Sequence, residues 1–449
     1  MTGFTVQVFS NEYLPPGGTD VHAVVTVTAD GTIPTGTGAA VEAIEVLVLD
    51  SSGSMQADGR IHEARRALAA AVNQIRDGVW FSVVAGTEEA RLVYPSPHAV
   101  GYYSGAVRAG AETRAQALAA LREVQANGGT AMSTWLAAAA GIMSGFPTNG
   151  IRHVLFVTDG KNESEPPEAL QEALQRYRGL FQVDCRGVGA NWSVEELRRI
   201  AQSFLGTVDI IPEPHEMAEE FAAIMNAAMS KGVASVQLRV WMPQHAELLF
   251  VKQVAPAIDD LSARAEPGPN ALTRDFPTGS WGAEERDYHV AVRVRAAEVG
   301  EEMLAARISL VIDGNPVSQG MVKATWSHDE QLTTRINAEV AHYTGQHELA
   351  EAIAEGLAAR QAGDEATATT KLGRAVQLAS QAGNDATTKL LAQVVEIENA
   401  EAGTIRLKRD PAPLDVMALD TRSTKTTRVR PAGGGPAGSA VASSGGGDL

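Results

Sequence analysis

A short loop rich in oxygen-bearing side chains is the clearest sign of chemistry in this sequence. Asp50, Ser52 and Ser54 alternate with small residues in the segment DSSGS, which directly follows the apolar run IEVLVL at 44–49. Such a run is typical of a strand buried on both faces, and doubly wound folds place their sites at the carboxyl ends of such strands. In a tight loop this spacing points three oxygens at one spot. Because hard cations such as Mg²⁺ prefer oxygen ligands, the segment predicts part of a divalent metal site.

Two further segments could complete that site. The glycine-rich loop GGTAMST at 128–134 opens a predicted helix and supplies Thr130, and VTDG at 157–160 ends a predicted strand and supplies Asp159. An alternation of strands and helices would bring these ends to the same edge of a parallel sheet. We therefore expect Asp50, Ser52, Ser54, Thr130 and Asp159 to form one metal site.

In this order the three segments resemble the metal-ion-dependent adhesion site of the von Willebrand factor type A (VWA) family, over roughly residues 41–230. The resemblance implies that Ser52, Ser54 and Thr130 contact the metal directly and that Asp50 and Asp159 act mostly through water. Neutral hydroxyls would leave the cation electrophilic, so that it seeks an Asp or Glu carboxylate from a protein partner. The implied cofactor is Mg²⁺, with Mn²⁺ or Ca²⁺ as alternatives.

The hydrophobic pattern predicts a fold that can position these loops. Strands alternate with helices between residues 41 and 232, which predicts a doubly wound α/β domain with a mostly parallel sheet. Period-two strands occur before it, in residues 1–40, and after it, in residues 233–329, which predicts an antiparallel β-sandwich into which the α/β domain is inserted. Alanine-rich segments at 330–405, which Gly363-Asp364 and Gly383-Asn384 divide into helices, predict a helical bundle. The polar residues 406–449 predict a disordered tail.

Composition limits the function. The chain has 37 basic and 54 acidic residues and a net charge of −17, which disfavours binding to nucleic acid or anionic membranes. One cysteine, a start without a signal peptide and the lack of a long apolar run lead us to expect a cytoplasmic protein.

Other residues that could suggest chemistry have simpler interpretations. Cys185 lies in an apolar strand and should be a packed thiol, and His342 and His347 are expected on the surface. The segment GVGANW at 187–192 predicts a turn before a helix that Ser193 caps.

Threonines among basic residues at 420–430 form the remaining motif. We expect phosphorylation at Thr424, Thr426 or Thr427, because a disordered segment is accessible to a kinase; the spacing from Thr426 to Val429 resembles the ligands of forkhead-associated (FHA) domains. The layout as a whole resembles bacterial VWA proteins that accompany Ser/Thr kinases and FHA-domain proteins.

The sequence thus predicts a metal-dependent protein-binding scaffold in bacterial signalling and no enzyme. Two alternatives stay open: a non-catalytic VWA subunit of a chelatase or AAA+ machine, and a metal-dependent hydrolase, against which the lack of a nearby general base counts.

Overall fold

The computed structural model describes residues 3–30, 41–96, 98, 101 and 104–428. The expected linker at 31–40 and residues 429–449 of the expected disordered tail lie outside these ranges.

Residues 3–30 contain the strands β1 Phe4–Ser10, β2 Tyr13–Leu14 and β3 Asp20–Ala29, which precede the α/β domain. β1 and β3 pair in antiparallel register, from Phe4 opposite Ala29 to Ser10 opposite Ala23.

The α/β domain is built on a sheet whose central strands are almost wholly apolar. Its strands are β4 Ala43–Asp50, β5 Trp80–Gly86, β6 Ala90–Tyr94, β7 Val107–Arg108, β8 Ile151–Thr158, β9 Gln182–Val188 and β10 Val208–Ile211. The order is β10-β9-β8-β4-β5-β6, with β7 also paired to β5. The first five run parallel, and β6 and β7 are antiparallel to β5. All eight residues of β4 are buried, as expected of a strand covered on both faces.

Helices cover both faces of this sheet. They are α1 Arg60–Gln74, α2 Ala111–Arg122, α3 Met132–Met143, α4 Pro167–Arg176, α5 Val194–Ser203 and α6 Met217–Met229, with 3-10 turns at Gly53–Gly59 and Pro214–Glu216. One apolar cluster contains side chains of α1, α2 and α6, and a second contains side chains of α3, α4 and α5. The predicted doubly wound arrangement is therefore observed.

Two further sheets contain the strands that follow the α/β domain. These strands are β11 Gln237–Trp241, β12 Glu247–Ala255, β13 Asp259–Asp260, β14 Glu266–Pro267, β15 Thr273–Pro277, β16 Glu285–Arg293, β17 Glu302–Ile312 and β18 Asn315–Trp326, with a 3-10 turn at Ser262–Arg264. One sheet has the order β1-β3-β16-β12-β13, and the other has the order β14-β15-β11-β17-β18-β2. All their pairings are antiparallel except that of β18 with β2.

The N-terminal strands thus pair with strands that come after the α/β domain. β3 lies between β1 and β16, with Val25 opposite Tyr288. Residues of both sheets, among them Val25 and Ile308, belong to one apolar cluster. Sequence patterns did not predict β12 or β18. In β18, Pro316 and Gly320 interrupt the alternation, and Gly320 lets β1 approach, because a Cβ there would lie 2.4 Å from a methyl carbon of Val8.

Helices and a hairpin follow: α7 Glu330–Thr333, α8 Ala338–Gln361, α9 Glu365–Gln381, α10 Asp385–Val394, β19 Val395–Asn399, β20 Thr404–Leu407 and α11 Pro413–Arg422. Turn chemistry separates α8, α9 and α10 as the sequence suggests. The side chains of Asp364 and Asn384 accept hydrogen bonds from the first turns of α9 and α10, and Gly363 and Gly383 have positive φ.

The expected disorder from residue 406 onward is wrong for residues 406–428. We call residues 413–428 the C-terminal segment; it contains α11, whose Leu419 is fully buried among residues of α8, α9 and α10. Arg422 and Lys425 both pair with Asp209 of β10, and Lys425 forms a β-bridge with Ala257. The polar composition of residues 406–449 predicted a disordered tail, but apolar residues of α11 pack against the preceding helices.

Candidate metal centre

The strand order brings two of the predicted ligands together. Asp50 is the last residue of β4, Asp159 directly follows β8, and these strands are parallel neighbours with Leu49 opposite Val157. The chain continues from β4 to β5 on one side and reaches β8 on the other, so this edge is the point at which the strand order reverses. Ligand sites of open α/β sheets lie at such points.

All five predicted oxygen side chains meet there. Ser52 Oγ lies 3.0 Å from Ser54 Oγ, and Ser54 Oγ donates a 2.6 Å hydrogen bond to Asp159 Oδ1. A Cβ added to Gly160 would lie 3.3 Å from Thr130 Oγ1, 3.4 Å from Ser54 Oγ and 3.7 Å from Asp50 Oδ2. Glycine at this position therefore leaves room around the oxygens. We call these five residues the oxygen cluster.

The two carboxylates of the oxygen cluster are fully buried. Burial raises the pKa of Asp50 to about 6, and the charge of Asp159 acts in the same direction, while hydrogen bonds from Ser52 and Thr158 oppose the rise. Asp159 pairs with Arg60, whose Nη1 lies 2.7 Å from Asp159 Oδ2. Two adjacent buried acids with one arginine form a site whose charge favours a further cation.

The donor set fits a hard divalent cation. Three hydroxyls and two carboxylates offer oxygen alone, which suits Mg²⁺ or Ca²⁺ better than a soft metal. Across residues 3–30, 41–96, 98, 101 and 104–428, no group of three or more His, Cys, Asp or Glu side chains could hold a metal. A cation at this edge would therefore depend on the hydroxyls of Ser52, Ser54 and Thr130.

Sequence reasoning missed the residues that hold the oxygen cluster in place. Thr158 Oγ1 donates a 2.5 Å hydrogen bond to Asp50 Oδ2, and Arg60 fixes Asp159. The Thr130 loop is held by the segment after Asp159: Thr130 N donates to Ser164 Oγ at 2.9 Å, and Met132 N donates to Asn162 Oδ1 at 2.8 Å. Thr158 could have been found, since it is the threonine of VTDG, but the other contacts join segments far apart in sequence.

The other residues that the sequence singled out have structural roles. Cys185 is fully buried, and burial raises the pKa of its thiol, as expected of a core cysteine. Ser193 caps α5 by accepting a hydrogen bond from Glu196 N, as predicted. His342 and His347, which the sequence places on the surface, also make contacts within the chain. Both are half-buried: His342 Nε2 lies 2.7 Å from Thr427 O, and His347 Nε2 lies 2.8 Å from Lys252 Nζ.

The predicted phosphorylation sites lie in folded structure. Thr426 Oγ1 donates a 2.6 Å hydrogen bond to Val254 O, and Thr427 N donates to Gln346 Oε1 at 3.1 Å. Ile258 N donates to Thr424 O at 2.8 Å. The premise that these threonines are accessible through disorder is therefore wrong, whereas their phosphorylation stays a prediction. Val429 of the proposed FHA motif lies outside the described residues.

The family of this protein follows from its similarity to known proteins. The von Willebrand factor type A domain family matches residues 45–210, and the von Willebrand factor type A C-terminal domain family matches residues 377–423. A solved structure, von Willebrand factor type A from Catenulispora acidiphila, is 44% identical; the match covers 95% of this chain and 97% of that one, with a TM-score of 0.89. The chain belongs to the VWA family.

Two more distant relatives are similar to this VWA protein. The ArnB paralog VWA2 from Sulfolobus acidocaldarius is 12% identical, with 94% of this chain and 98% of that one covered and a TM-score of 0.55, which shows a shared fold alone. An uncharacterized protein of Synechocystis is 27% identical over 223 residues, which are 49% of this chain and half of that protein's length.

The C-terminal family match includes α10 and α11, so it covers part of the region whose composition suggested a tail. None of the described helices is both long enough and apolar enough to cross a membrane.

Proposed function

We propose that this VWA protein is a metal-dependent protein-binding scaffold that captures an Asp or Glu of a partner at a Mg²⁺ site. The observation that carries the proposal is the oxygen cluster, in which five oxygen side chains from three separate loops meet beside Gly160. Ser52, Ser54 and Thr130 would hold the cation, with Asp50 and Asp159 behind them. Ser54 is exposed, so the cluster is accessible from outside the protein. A bound cation would supply an electrophile for the partner's carboxylate.

We propose binding rather than catalysis. Asp50 accepts hydrogen bonds on both oxygens, from Ser52 N and Thr158 Oγ1. Asp159 likewise accepts from Ser54 and Arg60. Both carboxylates are thus engaged within the chain, and neither is placed to take a proton from a substrate.

The antiparallel sheets, as a β-sandwich, and the C-terminal helices would form the platform that presents the metal-binding edge. A signalling role, with a Ser/Thr kinase and an FHA-domain protein as partners, belongs to the same proposal. It is supported by the family resemblance.

Metal binding is tested by thermal unfolding of the full chain with Mg²⁺, Mn²⁺ or Ca²⁺. A cation that binds only the folded state at 100 times its Kd stabilises it by about 2.7 kcal/mol, so the melting temperature should rise. Combined Ser54→Ala and Thr130→Ala substitutions remove two hydroxyls with little change in volume and should abolish the rise. Ser144→Ala, which removes an exposed hydroxyl at the end of α3, is the matched control and should keep it.

Partner capture is tested by pull-down from the native host with and without EDTA, followed by mass spectrometry. The proposal predicts a partner that is retained by the wild type with Mg²⁺ and lost with EDTA or with the Ser54→Ala/Thr130→Ala variant. A metal response of that variant equal to the wild type would place the cation elsewhere.

A further inference from the structure

A second cavity lies at the opposite edge of the parallel sheet from the oxygen cluster. The first residues of β8 and β9, Ile151 and Gln182, line it on one side, and Ile258 and Arg286 of the antiparallel part line it on the other. Its volume is about 510 Å³, within the range of roughly 300–1,000 Å³ that small-molecule sites occupy. Lys425 of the C-terminal segment also lines it. We call it the interdomain cavity, and such a position between domains is a common one for ligand sites.

Apolar side chains form much of the wall. α6 contributes Ile224, Ala227 and Ala228, and residues Ile258 and Leu261 lie on the antiparallel side. Ala227 is exposed and lines the cavity. A ligand with an apolar body would gain burial against these side chains.

Donor groups face the same space. Lys231 Nζ donates to Glu284 Oε1 at 2.7 Å and carries two more N–H groups. Arg186 donates through Nε to Glu220 and through Nη1 to Cys185 O. Its Nη2, and Nε2 of Gln182, make no hydrogen bond within the described part of the chain. These donors would suit the oxygens of an anion.

The charges beside these donors also favour an anion. Lys231 and Arg286 share one carboxylate, since both donate to Glu284 Oε1, at 2.7 and 2.9 Å. Burial and the charge of Arg286 lower the pKa of Lys231, while Glu284 and Asp184 act in the opposite direction. The other carboxylates that line the cavity are each paired with a cation: Asp184 with His153, Asp209 with Arg422 and Lys425, Glu220 with Arg186, and Asp259 with Arg264.

We propose that the interdomain cavity binds a small organic anion with an apolar body, whose anionic group accepts hydrogen bonds from Lys231, Arg186 and Gln182. This site is separate from the oxygen cluster and needs no metal. Because Lys425 lines the cavity, the ligand would lie between the α/β domain, the antiparallel sheets and the C-terminal segment, and would stabilise their contact.

The test uses 8-anilinonaphthalene-1-sulfonate (ANS), an aromatic anion that fluoresces in apolar surroundings, with the full chain in EDTA. One saturable site is expected, from which octanoate displaces ANS. Ala227→Trp fills the cavity and should weaken ANS binding at least tenfold. Ala223→Trp is the matched control, because Ala223 is an exposed alanine of the same helix that does not line the cavity, and it should bind like the wild type.

The anionic preference is tested by Lys231→Met. It should weaken displacement by octanoate about tenfold and leave displacement by neutral octanol unchanged, whereas Lys323→Met, at a surface ion pair with Glu302, should change neither. Wild-type ANS affinity in Ala227→Trp would show that the probe binds elsewhere and would overturn the proposal. The proposal would also be overturned if Lys231→Met weakened displacement of ANS by octanoate and by octanol equally, or if octanoate did not displace ANS from the wild type. Circular dichroism of each variant establishes that it is folded.

Discussion

Leu419→Ala tests whether packing holds the C-terminal segment on the protein. Leu419 is fully buried in one apolar cluster with Leu349, Ile353 and Leu391. Truncating a buried leucine removes its burial and leaves a cavity, which together cost about 2–5 kcal/mol.

Ion pairs contribute less to holding this segment. The pair between Arg422 and Asp209 is 3.0 Å long with side chains 34% and 11% exposed, and the pair between Arg198 and Asp420 is 2.9 Å long with side chains 24% and 34% exposed. Such partly exposed pairs typically contribute about 0–1 kcal/mol each. Leu419 should therefore dominate the stability of the segment.

Hydrogen exchange measured by mass spectrometry on peptides from residues 413–428 is the assay. Since exchange reports local opening, a loss of about 2 kcal/mol should speed it roughly 30-fold. Leu272→Ala is the matched control: Leu272 is 38% exposed, and its truncation should leave exchange in these peptides unchanged. Wild-type exchange rates in Leu419→Ala would refute the reasoning, as would peptides that exchange fully at the first time point in the wild type.

Two further predictions concern the α/β domain. Gly86→Ala should destabilise the protein by about 1–3 kcal/mol in urea unfolding, because the new Cβ would lie 2.3 Å from the buried ring of Trp135. Gly141→Ala should instead stabilise α3 by about 0.5–1 kcal/mol, because a Cβ there meets nothing within 4 Å. Equal changes in the free energy of unfolding for the two variants would contradict this prediction. His153 should remain an imidazolium at pH 8 in an NMR titration: burial lowers its pKa, but Glu45 and Asp184, at 2.6 and 3.0 Å, raise it to about 10. The stability that protonated His153 contributes is then complete below the unfolded-state pKa of about 6.5 and is lost as pH rises through about 10. An NMR titration midpoint near 6.5 for His153 would show that its ion pairs with Glu45 and Asp184 are absent.

Local patterns predicted the part of the fold that depends on near neighbours in sequence. IEVLVL indicated a doubly covered strand, and β4 is buried throughout. Gly363-Asp364 and Gly383-Asn384 marked the helix ends that the structure has. Strands with interrupted alternation were missed, as in β18, because Pro316 and Gly320 are tolerated there by contacts with another strand rather than by local preference.

The sequence by itself determined the family resemblance and the candidate metal ligands, since chain order and strand direction together carry the ends of β4 and β8 to one edge of the sheet. Only the tertiary structure decided that Arg60 pairs with Asp159, that the interdomain cavity exists and that residues 413–428 are folded. The physical reason is range: a strand end is fixed by residues a few positions away, whereas each of these features depends on contacts between segments that are well separated in sequence. Leu419 is buried because distant helices provide a site for it, and Arg422 and Lys425 are held because Asp209 lies on the edge strand they cross.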